Sequence, residues 1–157
     1  MPGCASWAKH QGAPGVHAEP MKKRDSSTPE AAIIVVDDDY AVRNSLKFSL
    51  EIEGLAVRSY ATGAELLTAE IEPCDCLIVD QKLPGINGLD LIATLRQRNI
   101  SAPAILITSY PSLSVRERAE KAHIPIVEKP LLGNALLDKI RAVLADRRHS
   151  TNHAQRR

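Results

Sequence analysis

The sequence predicts an α/β fold: five β-α units wound into one parallel sheet with helices on both faces. Three observations carry this. Short apolar runs recur along the chain, each followed by a stretch with helical periodicity, which is the pattern of βαβ units joined by right-handed crossovers. The first run ends in turn-like residues, as a strand buried at the centre of a parallel sheet does. The chain has 157 residues and 44% hydrophobic content, enough for one domain with a real core and too little for two ordinary ones.

The elements follow in order. "AIIVV" reads as the first strand, and Val42, Leu46, Phe48, Leu50 and Ile52 supply the apolar positions of a helix stopped by Gly54. "LAVRSY" is a second strand, after which Thr62 and Glu65 make a capping box that opens a helix through "GAELLTAE". "CLIVD" is the third strand. The turn "LPGING" leads into "LDLIATLRQRN", where Leu89, Ile92 and Leu95 share one helical face. "PAILIT" is a fourth strand, "SVRERAEKA" a short polar helix, "IPIV" a fifth strand and "NALLDKIRAVLADRR" a closing amphipathic helix. The domain is therefore set at residues 30–147. Residues 1–29 are rich in Gly, Pro, Ser and His without apolar periodicity and are expected to be a disordered tail. Trp7 in that tail is taken as incidental, and Met21 offers an alternative start. Residues 148–157 are expected to be a basic C-terminal tail.

A formal net charge of +1 argues against a broad electrostatic footprint for nucleic acid or anionic membrane. Cys4, Cys74 and Cys76 are an odd set with neither a second pair nor a His partner at zinc-site spacing. They read as reduced thiols, with Cys76 in the core. No stretch approaches a membrane span, and the N-terminus lacks the apolar centre of a signal peptide, so the expected location is cytoplasmic.

Ligands of open α/β sheets bind outside the carboxyl ends of the strands. Asp37 and Asp38 follow the first strand, Asp80 ends the third, Thr108 ends the fourth, and Lys129 and Pro130 lie just past the fifth. In the flavodoxin-like order 2-1-3-4-5 those four strands are contiguous, so the side chains of Asp37, Asp38, Asp80, Thr108 and Lys129 converge on one shallow pocket. Carboxylates so grouped repel unless a hard divalent cation or a proton relieves them, and Mg2+ fits best because it takes a few carboxylates, keeps waters and grips phosphate oxygens. Asp80 is then a nucleophile for phosphorus, with Lys129 and Thr108 contacting the other oxygens of the transferring group. Singly, each residue has a plainer role: acids after a strand commonly cap the next helix, and Asp39 is assigned that role.

With "IIVVDDD", "CLIVDQKLPGINGLDLI", "AILITS" and "VEKP", the stretch from Ala31 to Arg147 resembles the receiver domain of two-component response regulators, the CheY-like superfamily. Its motifs are similar to the FixJ and NodW branch. The resemblance implies that Asp80 is the phosphoacceptor and Asp37 and Asp38 the acidic pair. It implies direct Mg2+ ligation by Asp38, Asp80 and the backbone carbonyl of Lys82, with Asp37 acting through water. Thr108 matches the switch hydroxyl, Lys129 the family's lysine, and Lys129-Pro130 is expected to be cis. The implied partners are a sensor histidine kinase or histidine phosphotransfer protein and a downstream protein target. No helix-turn-helix follows, so the chain resembles a stand-alone receiver with no direct DNA binding expected. It is expected to be a regulatory phosphoacceptor that catalyses only its own phosphorylation and dephosphorylation.

Three departures from the family pattern bear on output. Ile126 stands where the family has Tyr or Phe, Ala122 and His123 where it has a small Gly-Ala pair, and Tyr110 and Lys82 occupy positions flanking the phosphoryl group. Thr108, Tyr110 and Ile126 are the switch candidates. Leu131, Leu132, Leu136 and Leu137 exceed what one helical face should bury, so a homodimer is expected. Within the same class, a phosphorelay intermediate and a phosphate sink are the alternatives. From another class comes a haloacid-dehalogenase-like phosphatase using Asp37 and Asp39, but its second acidic pair is missing: only Asp138 and Asp146 follow Lys129, both inside a helical pattern.

Overall fold

A computed structural model describes residues 31–154, with 150–154 described by their backbone alone. The tail expected over 1–29, with Cys4, Trp7 and Met21, lies outside the described residues, as do residues 155–157. Strands β1 (Ala32–Val36), β2 (Ala56–Tyr60), β3 (Cys76–Asp80), β4 (Ala104–Thr108) and β5 (Ile126–Glu128) alternate with helices α1 (Tyr40–Ile52), α2 (Gly63–Thr68), α3 (Gly88–Gln97), α4 (Leu113–Lys121) and α5 (Ala135–Ala154). The strands make one parallel sheet in the expected order β2-β1-β3-β4-β5.

Successive strand side chains point to opposite faces, so the apolar runs feed two layers. Ile33, Val35, Ile78, Ile105 and Ile107 meet Leu46 and Leu50 of α1 and Leu136, Ile140 and Leu144 of α5. Ile34, Val36, Leu77, Val79 and Leu106 meet Leu66 of α2, the apolar face of α3 and Ala119 of α4. Each fully buried Ile or Leu contributes on the order of 1.5–3 kcal/mol, and this term holds the sheet between its helices.

The helix ends obey local chemistry. Thr62 Oγ1 accepts from Glu65 N–H at 3.1 Å, and Glu65 returns the bond to Ala61 N–H at 2.9 Å, one residue ahead of the cap itself. At Gly54, φ is +87° and two bonds close a Schellman motif, Gly54 N–H to Glu51 O at 3.0 Å and Leu55 N–H to Leu50 O at 3.2 Å. α3 and α4 end in the same way with Asn99 (φ +63°) and His123 (φ +55°) in the left-handed position. The sequence shows no glycine at either point; Asn99 is the residue that, besides glycine, most readily takes this position, so the strain that Gly54 avoids falls mainly on His123.

Some expectations need correction. Phe48 and Ile52 are 65% and 67% exposed, because α1 turns only the stripe of Val42, Leu46 and Leu50 to the sheet. The fifth strand starts at Ile126 instead of Ile124, since Ile124 N–H is spent on the α4 cap and Pro125 has no N–H to offer. Of the four leucines expected to be in excess, Leu136 is buried, Leu131 and Leu137 pack partly on the core, and only Leu132 is fully exposed. α5 runs on through Ala154 past the boundary placed at Arg147, as no Gly or Pro interrupts it. Cys74 and Cys76 are buried free thiols, and burial, with the neighbouring Cys74 and Asp75, pushes the Cys76 thiol up to about 12. No helix among the described residues is long and apolar enough to cross a membrane.

Candidate functional site at the strand ends

Each functional side chain is placed by a backbone bond that carries the parallel ladder past the end of its strand. Asp37 N–H donates to Tyr60 O at 3.2 Å, Gln81 N–H to Ile107 O at 2.9 Å and Lys129 N–H to Thr108 O at 2.8 Å. Asp37, Asp80, Thr108 and Lys129 therefore stand in a row along contiguous strands, with Thr108 in register with Glu128.

Asp37 is fully buried and doubly engaged. Its Oδ1 accepts Asp39 N–H at 2.9 Å, and its Oδ2 accepts from Lys129 Nζ at 2.9 Å. The same ammonium lies 3.2 Å from Asp80 Oδ1, so one cation ties residues from three separate strand ends into one cluster. Asp38 is exposed, and one carboxylate oxygen from each of Asp37, Asp38 and Asp80 lies within 4.8 Å of the others. Thr108 is buried beside them.

The electrostatics show an excess of negative charge. Burial raises the Asp80 carboxyl above its usual range; Lys129 opposes that rise, while Asp37 and Asp38 reinforce it. Burial alone would lower Lys129, but its hydrogen bond to Asp37 and the charges of Asp37 and Asp80 outweigh this and raise it, so it remains an ammonium. Three carboxylates face one such cation. A hard divalent ion answers that imbalance, and the donors fit magnesium: all are oxygens, they are few, and the exposed Asp38 side leaves room for waters.

Asp39 does not join the cluster. Its carboxylate accepts Ala41 and Val42 N–H at 2.9 and 3.2 Å and caps α1, as expected. The phosphatase reading loses its second acid by that turn, and Asp138 stands exposed on α5. Lys82 is exposed two residues past Asp80, Tyr110 is 86% exposed in the loop after β4, and Ile126 is half-buried against the layer that holds α3. Lys129-Pro130 is cis, as expected.

Three residues that sequence reasoning did not single out shape the site. A Cβ on Gly88 would sit 2.5 Å from the Asp80 carbonyl oxygen, so only glycine lets α3 approach the third strand this closely. Gln81 clasps the start of α3 with both its carbonyls, accepting Gly88 N–H on the backbone at 3.0 Å and Leu89 N–H on Oε1 at 3.1 Å. Arg43 Nη1 donates to the Asp37 carbonyl at 2.7 Å. Only Gly88, within the "GING" turn, carried a local signal.

A family model described as the response regulator receiver domain matches residues 33–141. The transcriptional regulatory protein FixJ of Azorhizobium caulinodans is 37% identical over 113 residues, which are 70% of this chain and 53% of that protein. Nodulation protein W of Bradyrhizobium diazoefficiens is 32% identical over 132 residues, 83% of this chain and 58% of that protein. The chain thus spans a little over half the length of these relatives. The crystal structure of a CheY-like response regulator receiver domain protein from Methanospirillum hungatei JF-1 superposes with a TM-score of 0.71 at 31% identity, covering 76% of this chain and 97% of that one. Fold, acidic cluster and these likenesses agree: the chain belongs to the receiver domain family of two-component response regulators.

Proposed function

We propose that Asp80 accepts a phosphoryl group from a histidine on a sensor kinase or phosphotransfer protein, and that the phosphorylated domain passes the signal on by protein contact. The observation that carries this is the meeting of Asp37, Asp38 and Asp80 within 4.8 Å, with Lys129 bridging two of them. When bound, Mg2+ would supply charge neutralisation for the phosphoryl oxygens, held by Asp38, Asp80 and the backbone carbonyl of Lys82, with Asp37 acting through water. An Asp80 oxygen attacks phosphorus; the P–O bond forms as the P–N bond of phosphohistidine breaks, and the departing imidazole nitrogen keeps the electron pair and takes a proton. Lys129, fixed by Asp37, and the Thr108 hydroxyl meet the other phosphoryl oxygens. A groove of about 580 Å³ between α1 and the segment from Lys129 into α5 supports the partner class, because Lys129 is itself part of its lining and a partner seated there would touch the site.

The test is labelling with acetyl phosphate and Mg2+, read by phosphate-affinity gel mobility. Wild type should give an acid-labile adduct and Asp80→Asn none; an Asn variant labelled at the wild-type rate would remove Asp80 from the role.

The proposal extends to output. Ile126 has no ring to swing inward and is packed against the core, whereas Tyr110 is solvent-exposed beside Thr108. The signal then leaves through the loop from Thr108 to Leu113. On addition of beryllofluoride, amide shifts should concentrate at Ser109 to Leu113 and stay small at Ile124 to Val127; the reverse pattern ends the idea. Of the four leucines behind the homodimer expectation, Leu132 is the one left exposed, and Leu113 at the start of α4 is exposed as well. Sedimentation that returns only monomer with and without beryllofluoride would dispose of it.

A further inference from the structure

Asp38 is the one member of the acidic trio that is exposed, and among the described residues its carboxylate takes no hydrogen bond or ion pair. Its direction is therefore set by the backbone it hangs from. The Asp37-Asp38 peptide presents its carbonyl to Arg43, whose Nη1 donates to it at 2.7 Å. That donor is itself held in place. Arg43 is half-buried on the first turns of α1, its backbone N–H donates to Asp39 O at 2.9 Å, and its guanidinium lies 5.6 Å from the centre of the Tyr40 ring. From the inner side, Asp37 is pinned by Lys129 and by Asp39 N–H. The peptide is thus gripped at its carbonyl by a charged, planar donor and at the preceding side chain by two more bonds.

We infer that Arg43 is a positioning residue for the acidic cluster: it fixes the Asp37-Asp38 peptide so that the Asp38 carboxylate is held toward Asp80. This rests on the phosphoacceptor reading above. A planar guanidinium suits the task, because it can bond the carbonyl and lie against an aromatic ring at once, whereas a lysine ammonium can do only the first well. The guanidinium also brings a permanent positive charge to the carbonyl that joins Asp37 to Asp38. The plainer account is an arginine that merely satisfies a carbonyl at a helix start, and the two differ in what removing Arg43 does to Asp38.

The experiment titrates Mg2+ alone, by calorimetry, into the full chain as wild type, Arg43→Ala, Arg43→Lys, Asp38→Ala and the Arg43→Ala/Asp38→Ala double variant. Arg43→Ala should weaken Mg2+ binding about tenfold, the usual scale for losing a group that orients a ligand, and Arg43→Lys should recover part of it. In the Asp38→Ala background, removing Arg43 should change nothing further. In the metal-free Arg43→Ala protein the Asp38 and Asp39 amide resonances should move while those of α3 and α4 stay. Unchanged affinity in a folded Arg43→Ala protein overturns the inference, as does an equal loss in both backgrounds. If Arg43→Ala does not fold, the same comparison is made with Arg43→Lys in both backgrounds. If Asp38→Ala itself leaves Mg2+ affinity unaltered, the metal set of the phosphoacceptor reading falls and the role of Arg43 with it; an Asp38 effect without an Arg43 effect sinks the positioning role alone.

Discussion

α3 and α4 leave neighbouring strands at the same edge of the site, yet they are held by different forces. α3 buries Leu89, Leu91, Ile92 and Leu95, is capped by Asn87, and has its first N–H groups clasped by Gln81. α4 buries only Ala119, with Val115 partly covered, and is otherwise tied by Arg116 to Glu128 at 2.6 Å and by Arg118 to Asp90 at 2.5 Å. Both pairs are about half exposed, so water and salt weaken them. The difference teaches where a displacement at Thr108 can go. Beside Asp80 the chain is a packed frame, and beside Thr108 it is a helix resting on ion pairs, which opens at low cost.

The largest way to sharpen this contrast is a matched pair of truncations. Leu95→Ala, in the α3 core, should cost about 3 kcal/mol of unfolding free energy, while Leu113→Ala at the exposed start of α4 should stay within about 0.5 kcal/mol. Urea denaturation measures both, and similar losses would mean that α4 is packed as firmly as α3.

Gly88→Ala forces a methyl against the Asp80 carbonyl and the Leu106 side chain, an overpacking that should cost about 2 kcal/mol. Thermal melts and the acetyl phosphate reaction should both suffer, since the same contact sets the backbone under Asp80. A neutral outcome would show that α3 has room to retreat.

Within the site, the sign of a pH effect follows from Asp80. Its carboxyl titrates higher in the folded chain than in the unfolded one. Folding then binds a proton between those two values, so the cost of the ionised group is absent below the unfolded value, about pH 3.9, and appears as pH rises through the folded one. Asp80→Asn should therefore stabilise the metal-free protein at neutral pH by something on the order of 1 kcal/mol, with the gain fading in acid. Melts from pH 3 to 8 in a chelator decide it, and a gain that grew toward acid would reverse the argument.

The smallest effects belong to α4. His123→Gly relieves a left-handed residue at its end and should stabilise by about 1 kcal/mol. Arg116→Ala should cost only about 0.3 kcal/mol, and less in high salt, while speeding amide exchange along α4. If Arg116→Ala were as damaging as Leu95→Ala, the view of α4 as loosely held would be lost.

Much of this protein was legible in its sequence because the relevant signals are local. Strand and helix periods, the Thr62 cap, the Gly54 stop and the polar groups closing each apolar run are readable within a few residues, and a parallel sheet then brings Asp37, Asp38, Asp80, Thr108 and Lys129 to one edge. What periodicity could not decide is which member of an apolar surplus is covered: Leu136 went into the core on the face of α5 that meets the sheet, whereas Leu132 falls in the loop before that helix begins and stays exposed. The left-handed residue closing α3 was legible in kind, since Asn, as at Asn99, most readily takes that position after glycine, whereas His123 carried a weaker signal of the same sort. Lys129 bonds Asp37 across 92 positions, and Gly88 is required only because α3 descends onto Asp80. Local pattern determines what each segment becomes; distances between segments exist only once the sheet is assembled, and the grip of Arg43 on the Asp37 carbonyl depends on how α1 leaves β1 within it.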